Sequence, residues 1–105
     1  MTHQQFELTG KSGNRYRYMP LEEDRFLPSQ AANFVIARVT KEGAAVLYAG
    51  ETDNLAASQA WRDTLAKARA DYPGAKILTR LNVTRAIREA ERNDLIEQHR
   101  PPMNR

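Results

Sequence analysis

The stretch from Asn33 to Leu55 limits what this chain can fold into more than any other. Phe34 to Val39 and Ala45 to Ala49 are short apolar runs rich in β-branched and aromatic residues, with Lys41-Glu42-Gly43 between them. Two such runs around a Gly-containing turn predict an antiparallel hairpin. Gly50 then permits a sharp bend. Glu51-Thr52-Asp53-Asn54 follows with several helix N-caps ahead of an Ala-rich segment.

The flanking segments extend this pattern. Phe6 to Leu8 and Tyr16 to Met19 predict a first hairpin around Gly10-Lys11-Ser12-Gly13-Asn14, a cluster of turn formers. In its second strand Tyr16 and Tyr18 share one side and Arg15 and Arg17 the other. Tyrosines stacking on bases with arginines on phosphates would give that pattern. A half-buried strand with tyrosines in the core gives it too, and alternation alone favours the latter. Pro20 to Ala32 reads as a loop. A first helix is expected from about Asn54 to Ala70, with Leu55, Ser58, Trp61, Leu65, Ala68 and Tyr72 along one side, stopped by Pro73-Gly74. Ala75 to Leu81 predicts a third apolar strand. A second helix, capped by Asn82 or Thr84, is expected to run to about His99. Ile87, Ala90, Glu91, Asp94 and Leu95 would form its inner face, and Pro101-Pro102 would end it.

The expected order is hairpin, hairpin, α, β, α. Strands and helices do not alternate regularly, so an α+β fold is expected rather than a parallel sheet. At 105 residues the chain makes one domain. It divides into a hairpin-and-loop extension, 1–32, and a main unit, 33–104. With no cysteine it has no disulfide, zinc-thiolate site or Cys nucleophile. No apolar run approaches the roughly 20 residues of a membrane helix, and the first residues lack the regions of a signal peptide. A cytoplasmic protein with no membrane partner is expected. The formal charge of +3 permits phosphate contact, but acidic residues share the same segments.

Two motifs together resemble the GIY-YIG endonuclease family. Leu47-Tyr48-Ala49-Gly50-Glu51-Thr52-Asp53-Asn54-Leu55 is similar to the second half of its signature. The segment Asn93 to Asn104, a helix closed by prolines and then asparagine, is similar to its C-terminal end. The resemblance covers Asn33 to Asn104 and leaves the first hairpin outside. It implies a small, mostly antiparallel GIY-YIG-like sheet flanked by helices, with an additional N-terminal hairpin. It also implies a phosphodiesterase site with one divalent metal, Mg²⁺ or Mn²⁺, acting on DNA. By that resemblance Tyr48 lies beside the attacking water, and Gly50 and Asn104 support the substrate site.

Three of the carried-over positions depart from the family. Val35 stands where the first motif has tyrosine. Ser58 stands where an arginine steadies the cleaved phosphate, and a hydroxyl cannot supply that charge. Arg92 stands where the metal-binding glutamate is expected, with Glu91 one residue earlier, about 100° round a helix. Arg62, one turn beyond Ser58, is the replacement candidate for the missing arginine, and Glu91 for the missing ligand.

Each of these residues also has a purely structural role open to it. Tyr48 suits a core edge, Trp61 a core anchor, and Glu91 a partner for Arg88 or Arg62. Arg85, Arg88 and Arg92 form either a phosphate-facing stripe or a solvated ladder with Glu89 and Glu91, the ladder being favoured. His3 and His99 have no partner at metal-ligand spacing. The function expected is a nuclease-like domain with weak or no cleavage, kept as a nucleic-acid-binding or interaction module. The alternatives are an active metal-dependent endonuclease with relocated residues and a protein-interaction domain using the hairpin's exposed edge.

Overall fold

The structure is a computed structural model and describes residues 5–23 and 27–104. Its elements follow the expected order. They are β1 (Phe6–Thr9), β2 (Arg15–Pro20), β3 (Ala32–Thr40), β4 (Gly43–Thr52), α1 (Ala60–Asp71), β5 (Lys76–Leu81) and α2 (Arg85–His99), then a 3₁₀ turn at Pro102–Asn104. The loop expected over Pro20 to Ala32 falls partly outside the described residues. The strands form one antiparallel sheet in the order β1-β2-β5-β3-β4, so the fold is α+β. The sheet curls until its two edge strands, β1 and β4, approach each other.

Strand alternation divides the core in two. On β3, Phe34 and Ile36 face one side with Leu47, Ile77, Trp61, Leu65 and Ala68, which is the α1 side. Val35 and Ala37 face the other with Leu8, Tyr16, Tyr18, Ala49, Leu78 and Leu95, which is the α2 side. Period-2 alternation with both faces buried is what a central strand requires. Each large apolar side chain so buried contributes roughly 1.5–3 kcal/mol. Both tyrosines of β2 are therefore core residues and neither faces solvent for stacking. Between Ile36 and Ala37 the register slips, because Leu47 is an extra residue in β4.

The first helix begins later than expected. Asn54 closes a turn of its own: its carbonyl accepts from the Ser58 amide at 3.0 Å and its side-chain oxygen from the Ala57 amide at 3.1 Å. That side-chain bond competes with helix propagation, and α1 starts only at Ala60. Ser58 thus lies before the helix rather than on it. Leu55 still reaches the core, where its carbonyl accepts the Trp61 indole N–H at 2.9 Å.

The second helix is turned differently from the expected face. Arg88 and Leu95 are its buried residues, while Ile87 and Ala90 are exposed. Arg88 was expected on a solvated or phosphate-facing stripe, yet only 2% of it is exposed. Its Nε donates to Glu51 at 2.8 Å and its Nη2 to Asp53 at 2.6 Å. Its Nη1 donates to the carbonyls of Asn82 and Val83 at 3.1 and 2.9 Å. A guanidinium with its donors met in this way can be buried where an unpaired one cannot. Arg85 stays in the exposed ladder, 3.5 Å from Glu89.

The last residues tie down both sheet edges. Nε2 of His99 lies 2.8 Å from the Thr9 carbonyl on β1. The Asn104 carboxamide bonds both backbone groups of Ala49 on β4. Side chains that occupy edge groups in this way blunt an edge against pairing with other strands.

Candidate functional site

Tyr48, Gly50 and Asn104 lie close together on β4 and the segment beside it. The Tyr48 ring stacks on Phe34 with centroids 5.9 Å apart, half-buried against the α1-side core. Gly50 makes that stack possible. A Cβ there would come 2.6 Å from Phe34 Cζ and 2.9 Å from Tyr48 Cε2, closer than real side chains approach. Asn104 accepts from the Ala49 amide at 2.8 Å and donates to the Ala49 carbonyl at 3.0 Å. Its carboxamide is thereby committed to the sheet edge.

Ser58 and Arg62 meet each other rather than Tyr48. The Arg62 guanidinium donates to the Ser58 carbonyl and lies 4.5 Å above the Trp61 ring. The first contact fixes the side chain along its own helix, and the second is a cation–π contact of the usual kind.

Glu91 sits apart from both groups. Its carboxylate accepts from Arg80 Nε at 3.0 Å, and the Arg80 guanidinium covers the Tyr16 ring at 5.7 Å. Glu91 does pair with an arginine, but with Arg80 of β5 and not with Arg88 or Arg62. Tyr16 belongs to the α2-side core and Tyr48 to the α1-side core, so the sheet separates Glu91 from Tyr48.

The metal the family resemblance implies can be tested on these side chains. Among the described residues, no group of three or more His, Cys, Asp or Glu is placed to hold a metal ion. The Glu91 carboxylate has a guanidinium beside it, which competes with a cation for the same oxygens. The residues present do not fit Mg²⁺ or Mn²⁺. His3 lies outside the described residues.

The sequence reading missed one polar cluster. The Asp94 carboxylate accepts from the Ser12 amide at 2.8 Å, the Ser12 hydroxyl at 2.6 Å and the Tyr16 hydroxyl at 2.6 Å. The Asp94 carbonyl accepts from the Lys11 amide at 3.1 Å. The whole β1–β2 turn is pinned to α2 this way. Hydrogen bonds from Ser12, then from Tyr16, hold the Asp94 carboxyl below its ordinary range. Desolvation, then the bond to Asp94, pushes the Tyr16 hydroxyl up. Gly10 is the local signal that could have revealed the contact. A Cβ there would fall 1.9 Å from an Asp94 oxygen, so the turn can close on α2 only with glycine.

Beyond the helices, the β2 and β5 strands leave a groove of about 690 Å³. Its lining includes Glu7, Arg15, Arg17, Met19, Arg80 and Leu81. β2 pairs with β5 at only two positions, Met19 with Thr79 and Pro20 with Leu78. Above that point the strands part.

No helix among the described residues is long and apolar enough to cross a membrane. Comparison with protein-family models, curated proteins and solved structures finds no match.

Proposed function

We propose that this chain is a GIY-YIG-like domain that binds nucleic acid without cutting it. One observation carries the reading: the side chains at the nuclease positions are engaged in holding the fold. Glu91 is held by Arg80 on the α2 side of the sheet, Arg62 turns back on Ser58 and Trp61, and Tyr48 stacks on the α1 side. A hydrolytic site needs its metal ligand, phosphate-steadying cation and water-activating group within one pocket. Binding needs only exposed cations, and Arg15 and Arg17 stay in solvent on a chain of formal charge +3. A cytoplasmic setting fits the absence of cysteine.

The reading that the β3–β4 hairpin docks a protein through its edge has less support, because Asn104 already occupies that edge at Ala49. The experiment that separates the readings is fluorescence anisotropy with labelled DNA in a salt series. Binding that weakens steeply with salt is the expected result, since displaced counterions drive such association. Absence of binding at low salt would transfer support to the protein-interaction reading.

A further inference from the structure

We infer that the groove between β2 and β5 takes a single strand of nucleic acid, with phosphates against Arg15 and Arg17 and a base against Met19 and Leu81. The inference rests on the nucleic-acid reading above and assigns it a surface and a strandedness. Its β2 side is built by the first hairpin, the part of the chain the family resemblance leaves out.

The groove exists because β2 twists away from β5 after two paired positions. Helix α1 packs over β3, β4 and Ile77 and does not reach the outer half of this face. Alternation on β2 does the rest. Tyr16 and Tyr18 point into the α2-side core, which forces Arg15, Arg17 and Met19 to the open side. Met19 and Leu81 are 41% and 56% exposed, two of the few large apolar side chains left in solvent.

Charge favours an anion at one end of this groove. Arg17 has no ion-pair partner among the described residues. Arg15 has only Glu7, at 3.5 Å, with both side chains more than half exposed, an arrangement a phosphate can displace. Residues two apart on a strand are roughly 7 Å apart, close to one nucleotide step of an extended chain. The other charged groups of the lining are already paired, Glu7 with Arg15 and Arg80 with Glu91, and apart from Thr79 the rest is apolar: Met19, Pro20, Leu21, Pro28, Leu55 and Leu81. Two cations beside an apolar floor match a phosphate beside an exposed base face. In a duplex the base faces are buried in the stack and only the phosphates are presented, so the floor would be unused. A single strand offers both.

The test measures anisotropy of a labelled 12-nucleotide single strand and of the matching duplex at low salt. The proteins are the wild type, Arg17→Glu, Met19→Ser and, as a remote control, Arg85→Glu. All positions are exposed, and matching thermal melts establish that each variant is folded. We expect the single strand to bind about tenfold tighter than the duplex, because stacking contacts add to the phosphate contacts. Arg17→Glu should weaken it about tenfold or more, and Met19→Ser several-fold, with Arg85→Glu within about twofold. Tighter duplex binding, or equal binding by wild type and Arg17→Glu, overturns this inference while leaving the nucleic-acid reading in place. No binding of either oligonucleotide overturns both. Capture of a labelled acidic-apolar peptide in place of the oligonucleotides, with loss in Arg17→Glu, reassigns the groove to a protein ligand and overturns the inference.

Discussion

The two helices are held to the sheet by opposite means. Helix α1 docks through Trp61, Leu65 and Ala68, an apolar stripe against Phe34, Ile36 and Ile77. Helix α2 buries Leu95, but its other buried residue is a charge, Arg88, tied to Glu51 and Asp53. The α2 side also buries Asn33, whose Nδ2 donates to the Arg88 carbonyl at 2.9 Å and whose Oδ1 accepts from Asn82 at 3.0 Å. An apolar seam tolerates sliding and loses stability in proportion to the area removed. A buried ion pair fixes one register and is intolerant of losing one member. The carboxylates of this polar seam, Glu51 and Asp53, already face the Arg88 guanidinium.

The largest break in this contrast should come from Arg88→Ala. It leaves Glu51 without its partner in a site only 13% exposed and should cost about 3–5 kcal/mol in urea unfolding. Replacing both partners, Arg88→Met with Glu51→Leu, should cost less than Arg88→Ala, since no buried charge is stranded and Asp53, which also loses its partner, is 76% exposed. On the apolar side, Leu65→Ala should cost about 2–5 kcal/mol by transfer and cavity terms together.

The turn anchor at Asp94 sharpens the comparison through pH. Its folded pKa lies below the ordinary value, so its contribution is present above about pH 4 and is lost as pH falls through the folded pKa. The acid limb of a stability–pH curve should therefore shrink in Asp94→Asn, while Arg88→Ala keeps it. Tyr16 and Tyr18 act at the other end. Their pKa values are raised, mainly by burial, so stability should fall as pH rises above about 10. The smallest effect is expected at the end of α2. Arg100 has φ of 44°, the left-handed conformation favoured by glycine, and Arg100→Gly should stabilise by less than about 1 kcal/mol.

Most of the architecture was legible because it rests on short-range rules. Alternation placed Tyr16 and Tyr18 on the buried side of β2 and Arg15 and Arg17 on the other, and Pro73-Gly74 and Pro101-Pro102 stopped helices where helices stop. The face of α2 was not legible, because periodicity assigns charge to solvent, whereas Arg88 is buried by partners 35 and 37 residues away. The same holds for Asp94, whose partners Ser12 and Tyr16 lie 82 and 78 residues off. The start of α1 failed for a local reason: Asn54 caps a turn rather than the helix. For the candidate site, the motif marked Tyr48 and Gly50 as neighbours. That Glu91 stands on the other side of the sheet follows from strand order and register, which no linear motif carries.

The most direct test is a supercoiled plasmid incubated with the wild type and with Glu91→Ala, each in Mg²⁺ and in Mn²⁺. With Glu91 paired to Arg80 and separated from Tyr48 by the sheet, neither protein should nick the plasmid above the buffer control. Nicking by the wild type that disappears in Glu91→Ala would contradict the account, because it would require the carboxylate to leave Arg80 and complete a working metal site.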